Sequence, residues 1–213
     1  MSIAKDTIEA VHIVDDDDAI LAGLSDLLES AGLRTRQYLS AEKFLESWNP
    51  RFAGCLVLDV RLPGMSGIEL QGYLAQNGVA FPVIIMTAHG DMPMVRKALK
   101  AGAVEFLIKP FQDEELLDAV QQALAQDRTR RSDEELAHNL QARTASLSER
   151  ERQIMNLVTA GLTNKEIADK VFLSVVTVKL HRSQVMRKMQ AASLADLVKM
   201  SEWLKNARGS AVS

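Results

Sequence analysis

Short apolar runs alternate with amphipathic stretches over the first 125 residues. VHIV (11–14), CLVL (55–58) and VIIM (83–86) are runs of strand length, and VEFLI (104–108) is another apart from Glu105. Such unbroken runs suit parallel strands buried on both faces. LRTRQY (33–38) is more polar and predicts an edge strand. Between the runs the apolar period becomes helical. Ile20, Leu21, Leu24, Leu27, Leu28 and Ala31 fall on one face, and Gly32 follows as a stop. Ser40 can cap SAEKFLESW. Ser66 with Glu69 three residues on forms a capping box. MPMVRKALKAG has Pro93 in a first turn and Gly102 at its end. FQDEELLDAVQQAL is acidic where a helix dipole favours negative charge. The order is strand then helix, five times. It predicts an α/β fold, a doubly wound five-stranded parallel sheet with right-handed crossovers.

The pattern changes after residue 125. AQDRTRRSDEELAHNLQARTASL (125–147) is charged and lacks Gly and Pro. It is either a helix continuing the fifth one or a flexible linker. The last part is helix-only. Ser148 with Glu151 and Thr163 with Glu166 are full capping boxes, and Ser174 and Ser193 supply two further N-caps. They open four short helices, and AGLTNKEIADKVFLS places a tight turn between two of them, a helix-turn-helix pattern.

Charge follows the same division. The 213 residues carry a net charge of −3. Residues 1–125 hold 18 Asp and Glu against 10 Lys and Arg, whereas residues 147–208 hold 6 against 11. An acidic half joined to a basic half predicts two domains, the basic one facing nucleic acid. Cys55 is the single cysteine, so no internal disulfide forms, and its apolar surroundings predict a buried thiol. The N-terminal MSIAKDTIEA has no apolar signal core, and no run approaches a membrane span. The expectation is a cytoplasmic protein with no membrane partner.

Candidate chemistry lies at the strand ends. In open parallel sheets, ligands bind outside the carboxyl ends of the strands. Strand one ends at Asp15 and Asp16, strand three at Asp59, strand four at Thr87 and strand five at Lys109. These converge if strands one, three, four and five are neighbours. Three close carboxylates need a counter-ion, and an all-oxygen donor set suits Mg²⁺. Lys109 adds a fixed positive charge and Thr87 a hydroxyl. Metal, ammonium and hydroxyl around a carboxylate could hold a phosphoryl group on it, with the carboxylate as nucleophile. Asp17 and Asp18 are read as the entry of the first helix.

VDD (14–16), LDVRLPGMSG (58–67), MTAHGD (86–91) and FLIKPF (106–111) resemble the receiver domain of two-component response regulators. The resemblance implies that Asp59 accepts phosphate from a cognate sensor histidine kinase. It implies Mg²⁺ held by Asp15, Asp16, Asp59 and the backbone carbonyl of Arg61. Thr87 and Lys109 would contact the phosphoryl oxygens, Phe106 would be the aromatic switch, and the Lys109–Pro110 bond would be cis. Arg61 and His89 lie two residues beyond Asp59 and Thr87. They are read either as controlling how long the phosphate lasts or as plain surface residues.

SLSERERQIMNLVTAGLTNKEIADKVFLSVVTVKLHRSQVMRKM (146–189) resembles the LuxR/FixJ-type helix-turn-helix, through LSERE, GLTNKEIA, TVKLHR and KM. Together the two halves resemble a regulator of the NarL/FixJ family. The implied organisation is a receiver over residues 8–125, a linker over 126–146 and a DNA-binding domain over 147–208. In the reading helix Val178, Val185 and Met189 suit the core, and Lys179, Arg182 and Ser183 fall on another face. By resemblance Lys179, Leu180 and Ser183 face base edges. His181, Arg182 and Lys188 are candidates for backbone contact, and Thr177 and Asn164 for phosphates near helix N-termini. The pairs Phe172-Leu173 and Val175-Val176 are more apolar than such a turn and helix start require. Leu194, Leu197, Val198 and Trp203 mark a last amphipathic helix, read as core packing, as a dimer contact, or as both.

The implied protein is a phosphoacceptor rather than an enzyme, with at most self-catalysed loss of its own phosphate. Phosphorylation of Asp59 would draw Thr87 inward, turn Phe106 and alter the face of the fourth helix, fifth strand and fifth helix. A homodimer would then bind double-stranded promoter DNA and regulate transcription, and contact with RNA polymerase is also allowed. Two alternatives remain open: an aspartyl-phosphate phosphatase or phosphotransferase, and a constitutive regulator whose receiver only dimerises.

Overall fold

A computed structural model of the chain describes residues 8–88, 100 and 102–209. The helix predicted to open at Pro93 falls outside them. The chain divides after Arg131 into two compact units.

The apolar runs of the first unit become strands. They are β1 (Glu9–Val14), β2 (Thr35–Tyr38), β3 (Ala53–Asp59), β4 (Val83–Thr87) and β5 (Glu105–Ile108). All pair in parallel, in the order β2-β1-β3-β4-β5. The polar strand β2 lies at an edge, as its composition predicts. Successive side chains of a strand point to opposite faces, and here both faces are covered. Val11, Ile13, Cys55, Val57, Ile84 and Met86 pack on one side with α1 (Asp18–Ser30) and the start of α4 (Asp113–Ala145). Val14, Leu56, Leu58, Val83 and Ile85 pack on the other with α2 (Ala41–Ser47) and α3 (Gly67–Gln76). Each such Leu or Ile contributes about 1.5–3 kcal/mol on burial.

On the second face β1 carries His12, buried in an aromatic box. Its ring stacks on Tyr38 and Phe52 and meets Phe44 and Phe81 edge-on. Its Nδ1 lies 3.0 Å from the Tyr38 hydroxyl. Burial, and then the nearby Arg36 charge, lower its pKa to about 4. Arg36 itself lies over the Phe52 ring. Burial also raises the Cys55 thiol, helped by the charges of Asp127 and Glu9. Cys55 is therefore a small core hydrophobe without thiolate chemistry.

Helix α4 is helical throughout residues 126–145. Residues 127–131, within the stretch read from sequence as linker, are tied to the sheet. Asp127 is fully buried; one oxygen accepts the Gly54 N–H at 2.8 Å, and Arg130 and Arg131 pair with its carboxylate. Arg128 and Arg131 pair with Glu9 of β1. Gly54 itself has φ +126°, and a Cβ there would collide with the Ala10 carbonyl of β1, so glycine permits the close approach of β1 and β3 at this point.

The second unit continues with α5 (Glu149–Thr159), α6 (Asn164–Val171), α7 (Val175–Met189) and α8 (Leu194–Gly209). Both predicted capping boxes are formed, Ser148 with Glu151 and Thr163 with Glu166. Ser174 and Ser193 accept N–H groups three residues on. Leu140, Ile154, Met155, Val158, Ile167, Val171, Val178, Val185, Met189 and Leu197 form the core. In α8 Leu197 is buried and Trp203 packs against that core, while Leu194 is exposed.

Candidate functional site

Because β1, β3, β4 and β5 are neighbours, their carboxyl ends share one edge of the sheet. Asp15, Asp59 and Thr87 are all buried there. Lys109 follows β5, and its backbone N–H donates to the Thr87 carbonyl at 2.7 Å. Its ammonium reaches back and donates to Asp15 Oδ2 and Asp59 Oδ1, each at 2.7 Å. The remaining oxygens are held by the backbone. Arg61 N–H donates to Asp59 Oδ2 at 2.6 Å, and Asp17 N–H to Asp15 Oδ1 at 3.0 Å. Each carboxylate is thus held between one ammonium and one peptide group.

This arrangement decides the charge. Burial works against the Lys109 ammonium, but the hydrogen bonds and charges of Asp15 and Asp59 outweigh it and raise its pKa. Lys109 therefore stays protonated near neutrality, and two buried carboxylates share one cation. Among the described residues, no group of three or more His, Cys, Asp or Glu is gathered to hold a metal. Asp16 is exposed at the rim. The donor set nevertheless suits a hard cation: it is all oxygen, and its carboxylates outnumber the Lys109 ammonium.

The surrounding loop is built to hold Asp59 in place. The Gly67 N–H donates to the Val60 carbonyl at 3.1 Å, and a Cβ at Gly67 would collide with the Asp59 carbonyl. Glu42 accepts the Met65 N–H at 2.9 Å and fastens the same loop to α2. The next two aspartates belong to the helix. Asp17 is the N-cap of α1, accepting from the Ala19 and Ile20 N–H groups, and Asp18 lies in the first turn. Phe106 is half-buried against the second-face core, and Arg61 is exposed. The Lys109–Pro110 bond is cis. His89 lies outside the described residues.

In the second unit α6 and α7 are joined by the turn 172–174. Val178, Val185 and Met189 are buried on one face of α7. Val176, Lys179, Leu180, Ser183 and Arg187 are exposed at spacings of three and four residues, which aligns them as one stripe. Other expected contacts are engaged inside the unit. Arg182 donates to Asn164 Oδ1 at 3.0 Å. Lys188 pairs with the buried Glu151 at 2.6 Å and donates to the Ser146 carbonyl. The Lys188 bond lowers the Glu151 pKa. The Thr177 hydroxyl lies 2.8 Å from Ser174 Oγ. His181 is half-buried, and its Nδ1 has no partner among the described residues. The stripe thus keeps Lys179, Leu180 and Ser183 outward, while Lys188 serves α5.

Comparison with known proteins agrees with both halves. The model of the response regulator receiver domain matches residues 11–121, and that of the bacterial regulatory proteins of the luxR family matches residues 145–201. Nodulation protein W of Bradyrhizobium diazoefficiens is 47% identical over 91% of this chain and 86% of its own length. Response regulator protein TodT of Pseudomonas putida is 44% identical over 95% and 89%. Among solved structures, the response regulator StyR is 46% identical, with a TM-score of 0.85 over 91% of this chain and 98% of its own. Full-length FixJ from B. japonicum is 40% identical, with a TM-score of 0.56 over 94% and 98%. Among the described residues, no helix is long and apolar enough to cross a membrane. The chain belongs to the two-component response regulators of the NarL/FixJ family, which join a receiver domain to a LuxR-type helix-turn-helix.

Proposed function

We propose that phosphorylation of Asp59 by a sensor histidine kinase gates promoter binding by the second unit. The observation that carries this is the single Lys109 ammonium shared by Asp15 and Asp59. A carboxylate oxygen of Asp59 forms the new bond to phosphorus as the donor's bond to phosphorus breaks. The group arrives beside Lys109 and the Thr87 hydroxyl, which balance its charge by hydrogen bonding. Asp15, Asp16, Asp59 and the Arg61 carbonyl would hold Mg²⁺, which supplies further charge neutralisation. Once phosphorylated, Asp59 no longer presents Lys109 with an ionised carboxylate. Thr87 moves towards the phosphoryl oxygens and Phe106 turns into the space it leaves. A population shift follows, because the phosphoryl group makes contacts that the resting state lacks. The receiver then dimerises, and two helix-turn-helix units occupy paired half-sites.

The test is DNA binding and oligomer mass with and without acetyl phosphate and Mg²⁺, in the wild type and in Asp59→Asn. The donor should raise both in the wild type and neither in the variant. A wild type that ignores the donor refutes the gate, and DNA binding without donor response would favour the constitutive reading.

A further inference from the structure

The start of the reading module is apolar where it meets solvent. Phe172 is 93% exposed, Val176 77% and Leu180 58%. The core of this unit is formed without Phe172 and Val176. Phe172 also carries a backbone cost. It caps α6 with φ 54° and ψ 50°, the left-handed region, where Gly or Asn is the usual residue. An aromatic side chain is therefore held in an unfavourable backbone conformation and left in water. Neither cost is offset by packing within the unit.

We propose that Phe172 and Val176 read thymine methyl groups in the major groove, next to the stripe of Lys179, Leu180 and Ser183. This rests on the DNA-binding reading above. Val176 heads that exposed stripe, and Phe172 lies in the turn four residues earlier. On α7 Lys179 and Arg187 are exposed and no residue is acidic, so the face that Val176 heads favours a polyanion. The major groove presents hydrogen-bond donors, acceptors and one apolar group, the 5-methyl of thymine. A phenyl ring and an isopropyl group can form no hydrogen bonds, so methyl contact is how they discriminate among base pairs. The target half-site should carry thymines at two fixed positions beside those read by Lys179 and Ser183.

Selection from a random duplex pool by the full chain, with acetyl phosphate and Mg²⁺, supplies the site. Each thymine is then replaced by deoxyuridine, which removes only the methyl. The wild type should lose about fourfold in affinity at each of two positions. Phe172→Gly should be insensitive to one of these replacements and Val176→Ser to the other. Gln190→Gly, which relieves the other left-handed non-glycine residue among those described, should respond like the wild type. Wild-type affinity unchanged by every replacement overturns the proposal. So do variants that keep wild-type sensitivity, including variants that lose only transcription with RNA polymerase, which would mark a protein-facing patch. A wild type that selects no sequence and binds no duplex removes the DNA-binding reading as well.

Discussion

The two units differ in where they depart most sharply from the ordinary burial rule. The first buries charge: Asp15, Asp59 and Asp127 lie inside with His12 and Thr87. The second exposes hydrocarbon at Phe172, Val176 and Leu180. Buried charge and exposed apolar surface are the informative exceptions to apolar-in, polar-out. In the first unit the buried charges Asp15, Asp59 and Asp127 have cationic partners within the fold. In the second the exceptions lack such partners, so they point to a ligand outside the chain.

The contrast predicts effects of opposite sign. Lys109→Met leaves two buried carboxylates without their shared cation, and should destabilise the first unit by about 3–5 kcal/mol in urea unfolding. Added Mg²⁺ should restore part of that loss, since a cation bound only by the folded form stabilises it. Acidification should act next. His12 titrates near 6.5 in the unfolded chain and at about 4 in the folded unit. The unfolded chain therefore takes the proton first. The stability from neutral His12 is complete above about pH 6.5 and lost as pH falls towards 4, up to about 3 kcal/mol. His12→Gln should flatten that part of the stability profile, whatever it costs at neutral pH.

Asp127→Ala should cost about 2 kcal/mol, because the Gly54 N–H loses its acceptor while the partly exposed Arg130 and Arg131 can hydrate. The smallest effect reverses the sign. Phe172→Gly should stabilise the second unit by about 1 kcal/mol, measured as a raised melting temperature, by relieving the left-handed backbone. A destabilised Phe172→Gly would show that the ring packs within the fold, and the contrast between the units would fail.

The features legible in the sequence were the local ones. Strand runs such as CLVL and VIIM show burial on both faces because alternate residues there are all apolar. Ser66, Ser148 and Thr163 announce their helices because a capping box spans only four residues. The meeting of Asp15, Asp59, Thr87 and Lys109 followed from strand ends plus one condition, the neighbourhood of β1, β3, β4 and β5. The less legible features were long-range. Asp127 sits in a charged stretch that reads as a linker, helical or flexible, and its acceptor role depends on Gly54, 73 residues earlier. His12 sits within the run VHIV, and its ring partners come from four other segments that the run itself does not reveal. Lys188 is expected at the DNA backbone, and the fold also pairs it with Glu151, 37 residues earlier, which no local pattern announces. Phe172 and Val176 stood out as too apolar, and the structure adds where that excess goes.

The double grip on Asp59 has a consequence for genetics. Its Oδ1 accepts from an ammonium and its Oδ2 from a peptide N–H. Asp59→Asn leaves one acceptor oxygen for two donors, so whichever way the amide turns, a donor faces a donor. If Asp59 is the phosphoacceptor as proposed, the allele is a lesion in the resting loop as well as a block to that step. A strain carrying it should differ in phenotype from a strain that merely lacks the kinase. The gap between them measures what the carboxylate itself contributes to the resting receiver.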